Sequence, residues 1–313
     1  MGTYILRRLG WSVVVLFAIA ILTFFVTFIL PADPARMIAG IRATPEDVER
    51  IRHALGLDQP FLVQLGSYLS RLVQGDFGHS YIQNRSVLGL VLERFPATLQ
   101  LAVAGLFVAL AIGLPLGVFA ATHKGKSSDR ASTIFTSVLV SAPSFLVGYL
   151  LLLFLAFEPQ VLAHVDIFPI GGYKPLDIRY LALPAITLGI GAAAYYTRLT
   201  RTAMIDELSR DYVRTAHSKG VGNRTVLWRH TFRNAFGPVL SQIGLDLGFF
   251  LGGVVVVERI FSWPGIGKLA VDSIVTADVP LILGTVLFGT LCVVLANLAV
   301  DIIQVIIDPR IRV

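Results

Sequence analysis

Between Arg198 and Pro238 the chain sets eight basic residues, Arg198, Arg201, Arg210, Arg214, Lys219, Arg224, Arg229 and Arg233, between two apolar stretches. The chemistry open to such a segment is ionic: it can grip anionic lipid or a face of a soluble partner. Covalent chemistry has less to work with. Gly125-Lys126-Ser127 ends as a phosphate-binding loop does, but Ala120 stands where its first glycine belongs and an apolar run precedes it. Gly267-Lys268 fails in the same way, with Ser262 and Leu269 at the key positions. The histidines His53, His79, His123, His164, His217 and His230 lack metal-ligand spacing, and no nucleophile and base can be paired. No catalytic residue and no metal site is therefore assigned. Asp246 is the other chemical oddity, an acid in an apolar run, where an unpaired carboxylate costs about 2.5–3.5 kcal/mol. Two readings stand for it. It belongs to a polar translocation path with Gln242 and Asn297, or it is held by a structural hydrogen bond, for instance to Gln242.

The elements that must position these residues are membrane helices. Of the 313 residues 55% are apolar and only 15% charged, and the mean hydropathy of +0.74 lies far outside the range of soluble domains. Apolar runs of roughly 20 residues suit helices that satisfy their own backbone in the bilayer. Strand barrels would show shorter, alternating segments. Six spans are predicted, at about 9–30, 98–121, 131–157, 179–200, 236–257 and 280–307, in an all-α integral membrane protein. The first reads as a retained span, because Pro31-Ala32-Asp33 is no small-residue cleavage site. Cys292 stands alone, which excludes a disulfide within the chain. The basic balance, net +6 with a pI near 9.6, is better explained by topology than by nucleic acid, since the charges sit in loops between spans.

With both termini inside, the inner segments hold fifteen basic residues against five acids, and the outer segments eleven against thirteen. The positive-inside bias thus predicts cytoplasmic termini. The outer segment from about 31 to 97 carries helices of its own, making a small folded cap. Thr44 can cap a helix with Pro45 at its first position, Glu46, Asp47 and Glu49 favour its positive end, and Gly56 can end it. After Arg201, apolar positions near Met204, Leu208, Tyr212 and Ala216 recur every fourth residue, predicting an amphipathic helix under the membrane. Gly220 and Gly222 allow a reversal, and Asn223 can cap a second helix leading into the fifth span. The result is a braced hook that either rests on lipid or carries a push from a soluble partner into the spans.

The hook resembles the cytoplasmic signature loop of binding-protein-dependent ABC importer permeases. The pattern is carried by Asp211-Tyr212-Val213-Arg214-Thr215-Ala216, Gly220 four residues later, and Trp228-Arg229-His230-Thr231-Phe232-Arg233-Asn234-Ala235. Arg214 and Thr215 replace the acid and first alanine of the family pattern, and the downstream proline comes late, at Pro238. These departures are those of the dipeptide, oligopeptide and nickel permease branch. Leu30-Pro31-Ala32-Asp33-Pro34, Gln74-Gly75-Asp76-Phe77-Gly78, Arg94-Phe95-Pro96-Ala97-Thr98, Ala142-Pro143-Ser144-Phe145, Ser262-Trp263-Pro264-Gly265-Ile266-Gly267 and Asp308-Pro309-Arg310 extend the likeness over nearly the whole chain.

The resemblance implies a type I importer permease: residues 1–95 as first span plus external cap, and 96–308 as a five-helix core with the coupling loop at 201–236. It implies a multi-pass protein of a bacterial-type inner membrane that translocates short peptides delivered by an extracytoplasmic substrate-binding protein. Glutathione and chelated nickel are the alternative cargoes. Asp211, Tyr212, Arg214, Thr215, Ala216, Lys219 and Gly220 would meet an ATPase. The other partners implied are a second homologous permease subunit, two nucleotide-binding ATPase subunits or domains that bind ATP and Mg, and the lipid bilayer, with no nucleic acid and no cofactor in this chain. An ion-coupled transporter would instead show inverted repeats, broken helices and paired intramembrane acids. A membrane scaffold would use the basic loop only to hold lipid or a regulator.

Overall fold

The computed structural model describes residues 2–29, 33–40, 43–162, 164–252 and 254–307. Parts of the two terminal motifs, Leu30 to Ala32 and Asp308 to Arg310, lie outside the described residues. In chain order the helices are α1 (Gly2–Ile29), α2 (Pro34–Ala39), α3 (Pro45–Ala54), α4 (Phe61–Val73), α5 (Val87–Thr122), α6 (Ser127–Ser141), α7 (Ser144–Leu152), which runs through a π-helical turn (Leu153–Phe157) into α8 (Glu158–Leu162), and α9 (Ile178–Leu208). They continue with α10 (Asp211–Ser218), α11 (Asn223–Thr225), a π-helical stretch (Val226–Phe232), α12 (Arg233–Leu251), α13 (Val255–Ile260), α14 (Ile266–Val275) and α15 (Val279–Ile307). Among the described residues there is no strand, only an isolated bridge between His79 and Ser86. The all-α reading of the sequence holds.

Five helices among the described residues are long and apolar enough to cross a bilayer: Arg7–Phe28, Val87–Thr122, Ser144–Leu162, Ile178–Leu208 and Val279–Ile303. Two predicted spans look different. The segment 131–157 breaks at Ala142-Pro143, because proline lacks an N–H and pushes the preceding residue out of helical conformation; Ala142 sits at φ −75°, ψ 122°. The segment 236–257 forms the 19-residue α12, whose Asn234, Ser241, Gln242 and Asp246 dilute its apolar character.

The chain divides into two compact units that are discontinuous in sequence. The first comprises residues up to Thr98, Leu251–Val255 and Pro264–Leu295. Its core joins Ala20 and Phe24 of α1, Tyr68 of α4 and Leu283 and Leu287 of α15, with Phe24 stacked on Tyr68 at 5.3 Å. Helix α3 opens as predicted: Asp47 N–H donates to Thr44 Oγ1 (3.2 Å), and Thr44 N–H to Asp47 Oδ2 (3.3 Å). A buried carboxylate that the sequence did not single out, Asp278, accepts from Ser80 Oγ and from Tyr81 N–H (3.1 Å), tying the 79–86 loop to the start of α15.

The second unit comprises Leu99–Phe250, Val256–Trp263 and the chain from Ala296 onward. Here α5 presents Gly105, Gly113 and Gly117 to α9. A Cβ on each would lie 2.6 Å from Leu188 Cδ2, Tyr196 Cβ and Thr200 Cβ respectively, so the two backbones approach as only small residues allow. Ala109, Tyr196 and Val239 fill the seam with α12. Gly244 does the same on α12, since its missing Cβ would lie 2.2 Å from Val300 Cγ2.

Candidate functional site

Helix α9 runs unbroken to Leu208, Ser209 and Arg210 interrupt it, and α10 starts at Asp211. The single amphipathic helix expected after Arg201 is therefore two elements. Met204 stays inside because the end of α9 packs on Val118 and Ala121 of α5 and on Ala235 of α12, with Leu227 and Phe232 around them. Val213 is the buried residue of α10, which packs on the π-helical stretch.

The spacing from Ala216 to Gly220 has a local physical cause. Val221 N–H donates to Ala216 O (3.1 Å) and Gly220 N–H to His217 O (2.9 Å), the paired bonds of a Schellman motif. That motif needs a left-handed residue just past the helix, and Gly220 has φ +78°. Gly222 is not part of the reversal. It sits at φ −64°, ψ 144° as the N-cap of α11, the place expected for Asn223, which is instead the first helical residue.

The structure collects all seven predicted coupling residues on α10 and its cap. Asp211, Tyr212, Arg214, Thr215, Lys219 and Gly220 are exposed, and Ala216 is half-buried. Tyr212 Oη donates to Glu207 Oε2 (2.7 Å), which fixes α10 to the end of α9. Partial burial, and then that bond, hold the Tyr212 phenol above its ordinary pKa. Thr215 Oγ1 turns back to Asp211 O (3.0 Å) and leaves the exposed face smooth.

A second brace was missed in the sequence. Arg201, two turns before the end of α9, reaches Asp129 at the start of α6 through two parallel bonds, Nε to Oδ1 (2.6 Å) and Nη2 to Oδ2 (2.8 Å). Asp129 also accepts the Gly125 N–H (2.9 Å), so the amide of the Gly125-Lys126-Ser127 turn already serves a carboxylate. The Arg201 guanidinium and the Gly125 amide hold the Asp129 pKa down to about 2. The pair is largely buried: side-chain exposure is 6% for Asp129 and 29% for Arg201.

Of the three residues expected along a translocation path, the structure joins two. Gln242 Nε2 donates to Asp246 Oδ1 (2.8 Å), one turn apart on α12, which is the structural hydrogen bond anticipated as the alternative. The buried Tyr196 hydroxyl lies beside Asp246 without a hydrogen bond of standard geometry. Asn297 is half-buried on α15 and bonds to neither Gln242 nor Asp246 among the described residues.

Residues 113–313 match the family described as binding-protein-dependent transport system inner membrane component, and residues 1–102 match its N-terminal companion. The chain belongs to this family. It is a permease subunit of an ABC importer, a multi-pass protein of the inner membrane. The permease is 39% identical over 312 residues to the glutathione transport system permease protein GsiC of Escherichia coli strain K12, covering 100% of this chain and 99% of that protein. It is 38% identical over 316 residues to GsiC of Salmonella choleraesuis, again covering 100% and 99%. Among solved structures it shares its fold with a chain of the MetNI methionine ABC transporter in inward-facing conformations. There the TM-score is 0.56 at 17% identity, over 70% of the permease and 96% of that chain.

Proposed function

We propose that the permease carries short peptides, glutathione among them, delivered by an extracytoplasmic substrate-binding protein and driven by ATP hydrolysed in partner subunits. The observation that carries this reading is the hook: an exposed eight-residue helix with a fixed C-terminal turn, joined rigidly to α9 and α12. An ATPase that grips Asp211, Tyr212, Arg214, Thr215, Ala216, Lys219 and Gly220 moves those two helices directly. Two ATPase subunits or domains, which bind the ATP and Mg, and a second homologous permease complete the complex; alternating access comes from rocking of the two permease halves. Six spans with both termini in the cytoplasm give the hook its side. The GsiC relatives support glutathione as cargo, and the branch signature around Arg214 and Thr215 supports dipeptides, longer peptides or a nickel chelate. Gln242 and Asp246 remain the proposed polar element of the path, with Asn297 a separate candidate.

The test is uptake into proteoliposomes containing the full complex and its binding protein, with radiolabelled glutathione and alanyl-alanine. Wild type takes up at least one of them only with ATP. Gly220→Asp, which puts a negative charge on the hook, loses uptake while inserting and assembling normally, whereas the uncharged Gly220→Asn, of nearly the same shape and equally able to take up left-handed backbone, keeps a large part. Normal uptake by Gly220→Asp would overturn the coupling assignment.

A further inference from the structure

The external cap, with parts of α1 and α15, lines an open cavity of about 650 Å³ that lies wholly within the first unit. Its size falls within the range of small-molecule sites, about 300–1,000 Å³. Its walls are of two kinds. Phe24, Tyr68 and Leu283 supply an apolar side, and Arg71, Asp76 and Tyr81 supply a polar one.

Several arginines of the cap are held in ion pairs. Arg50 has Asp47 at 3.3 Å, Arg52 has Asp33 at 2.6 Å and Arg85 has Glu93 at 2.8 Å. Arg71, in the last turn of α4, has no such ion pair among the described residues, as Arg94 has none, but it alone of these arginines lines the cavity, together with Asp76. Asp76 uses Oδ1 to accept the Gly78 N–H (2.8 Å), which fixes the carboxylate and leaves Oδ2 for another donor. Tyr81 lines the same cavity, and its backbone N–H is fixed on Asp278, so a phenol and a guanidinium both border this space. Two opposite charges line one cavity without a direct ion pair among the described residues, beside an apolar wall. That arrangement suits a ligand carrying both charges and a side chain.

We propose that this cavity is a binding site for a short peptide with free termini, its carboxylate held by Arg71 with Tyr81 and its ammonium by Asp76. The site is an outer station on the permease itself, and it rests on the short-peptide reading given under Proposed function. It would receive cargo released by the binding protein before the path through the spans opens.

Equilibrium binding to the full permease and ATPase complex in nanodiscs, without binding protein, tests it. The probes are alanyl-alanine, its C-terminal amide, its N-acetyl form and glutathione. Wild type binds alanyl-alanine or glutathione saturably. Arg71→Gln weakens that binding roughly 10-fold or more, the size of a lost charge-assisted hydrogen bond, and Arg71→Lys weakens it less. Asp76→Asn, which can still accept the Gly78 N–H, weakens it to a similar degree. The amide and N-acetyl forms bind wild type as poorly as the variants bind the free peptide. Equal binding by wild type and Arg71→Gln, or by the amide and the free acid, overturns the site. So does a wild type that binds no peptide but loses affinity for its binding protein on Arg71→Gln, since the cavity then serves a protein loop. ATP-driven uptake by the wild-type complex, measured in parallel, separates the two failures. Without uptake of any peptide the cargo reading falls and the site with it; with uptake but indifferent Arg71 variants, only the site falls.

Discussion

At the scale of single residues, the hook depends on groups whose environment changes what their chemistry would ordinarily do. Asp129 is the clearest case. Its pKa is held down to about 2, against about 4 for an unfolded chain, so its contribution to stability is fully present above about pH 4 and is lost as pH falls toward 2. Between pH 5 and 8 the brace is constant. Asp129→Asn keeps the shape but strands the Arg201 guanidinium, and removing one partner of a buried pair is strongly destabilising. At pH 7 the variant should melt roughly 5 °C or more below wild type in detergent, with the gap closing as pH drops from 4 to 2. Equal melting at pH 7 would remove the brace from the account. Nothing in the sequence announced this pair, because the partners stand 72 positions apart and each, taken alone, reads as an interfacial charge. Gly220 was legible for the opposite reason: its role is set by its bond to His217 and by the Ala216 to Val221 bond, all within six residues.

At the scale of elements, the sequence revealed which stretches are helical far better than where they end or which faces meet. Apolar length marks a span whatever its neighbours are, so α1, α5, α9 and α15 were all visible. The break at Ala142-Pro143 overrode that signal through backbone geometry, and α12 weakened it through polar side chains. The α5 to α9 seam is only half legible in the sequence, where Gly105, Ala109, Gly113 and Gly117 repeat every fourth residue. A small-residue stripe shows that a close contact is possible without naming the partner helix. Gly113 gives the sharpest test, because a Cβ there would meet both Tyr196 Cβ at 2.6 Å and Ala193 O at 2.8 Å, and a backbone oxygen cannot rotate away. Gly113→Leu should cost about 1–3 kcal/mol of stability and lower ATP-driven uptake with it. Gly191→Leu, where a Cβ meets nothing within 4 Å, should leave melting unchanged. A Gly113 variant as stable as wild type would mean that the two helices do not need this approach.

At the scale of the whole molecule, the proposed direction of transport rests on sidedness, and sidedness turns on α12. That helix has 19 residues and is polar enough to fall short of the apolar standard that five other helices among the described residues meet, yet the proposed six-span topology needs it to cross. If it did not, the hook and the loop carrying α14 would lie on the same side, and α15 would end outside. Cysteine labelling decides between these, and the native Cys292 is buried, which keeps the background low. Ser218→Cys on the exposed face of α10 should react with a membrane-impermeant maleimide only in inverted vesicles. Gln83→Cys, in the exposed loop before α5, and Val275→Cys, 72% exposed at the end of α14, should react only in right-side-out cells. Labelling of Val275→Cys from the same side as Ser218→Cys would take α12 out of the membrane. The Gln242 to Asp246 bond would then belong to a surface helix, and the polar path proposed along α12 would have no bilayer to cross.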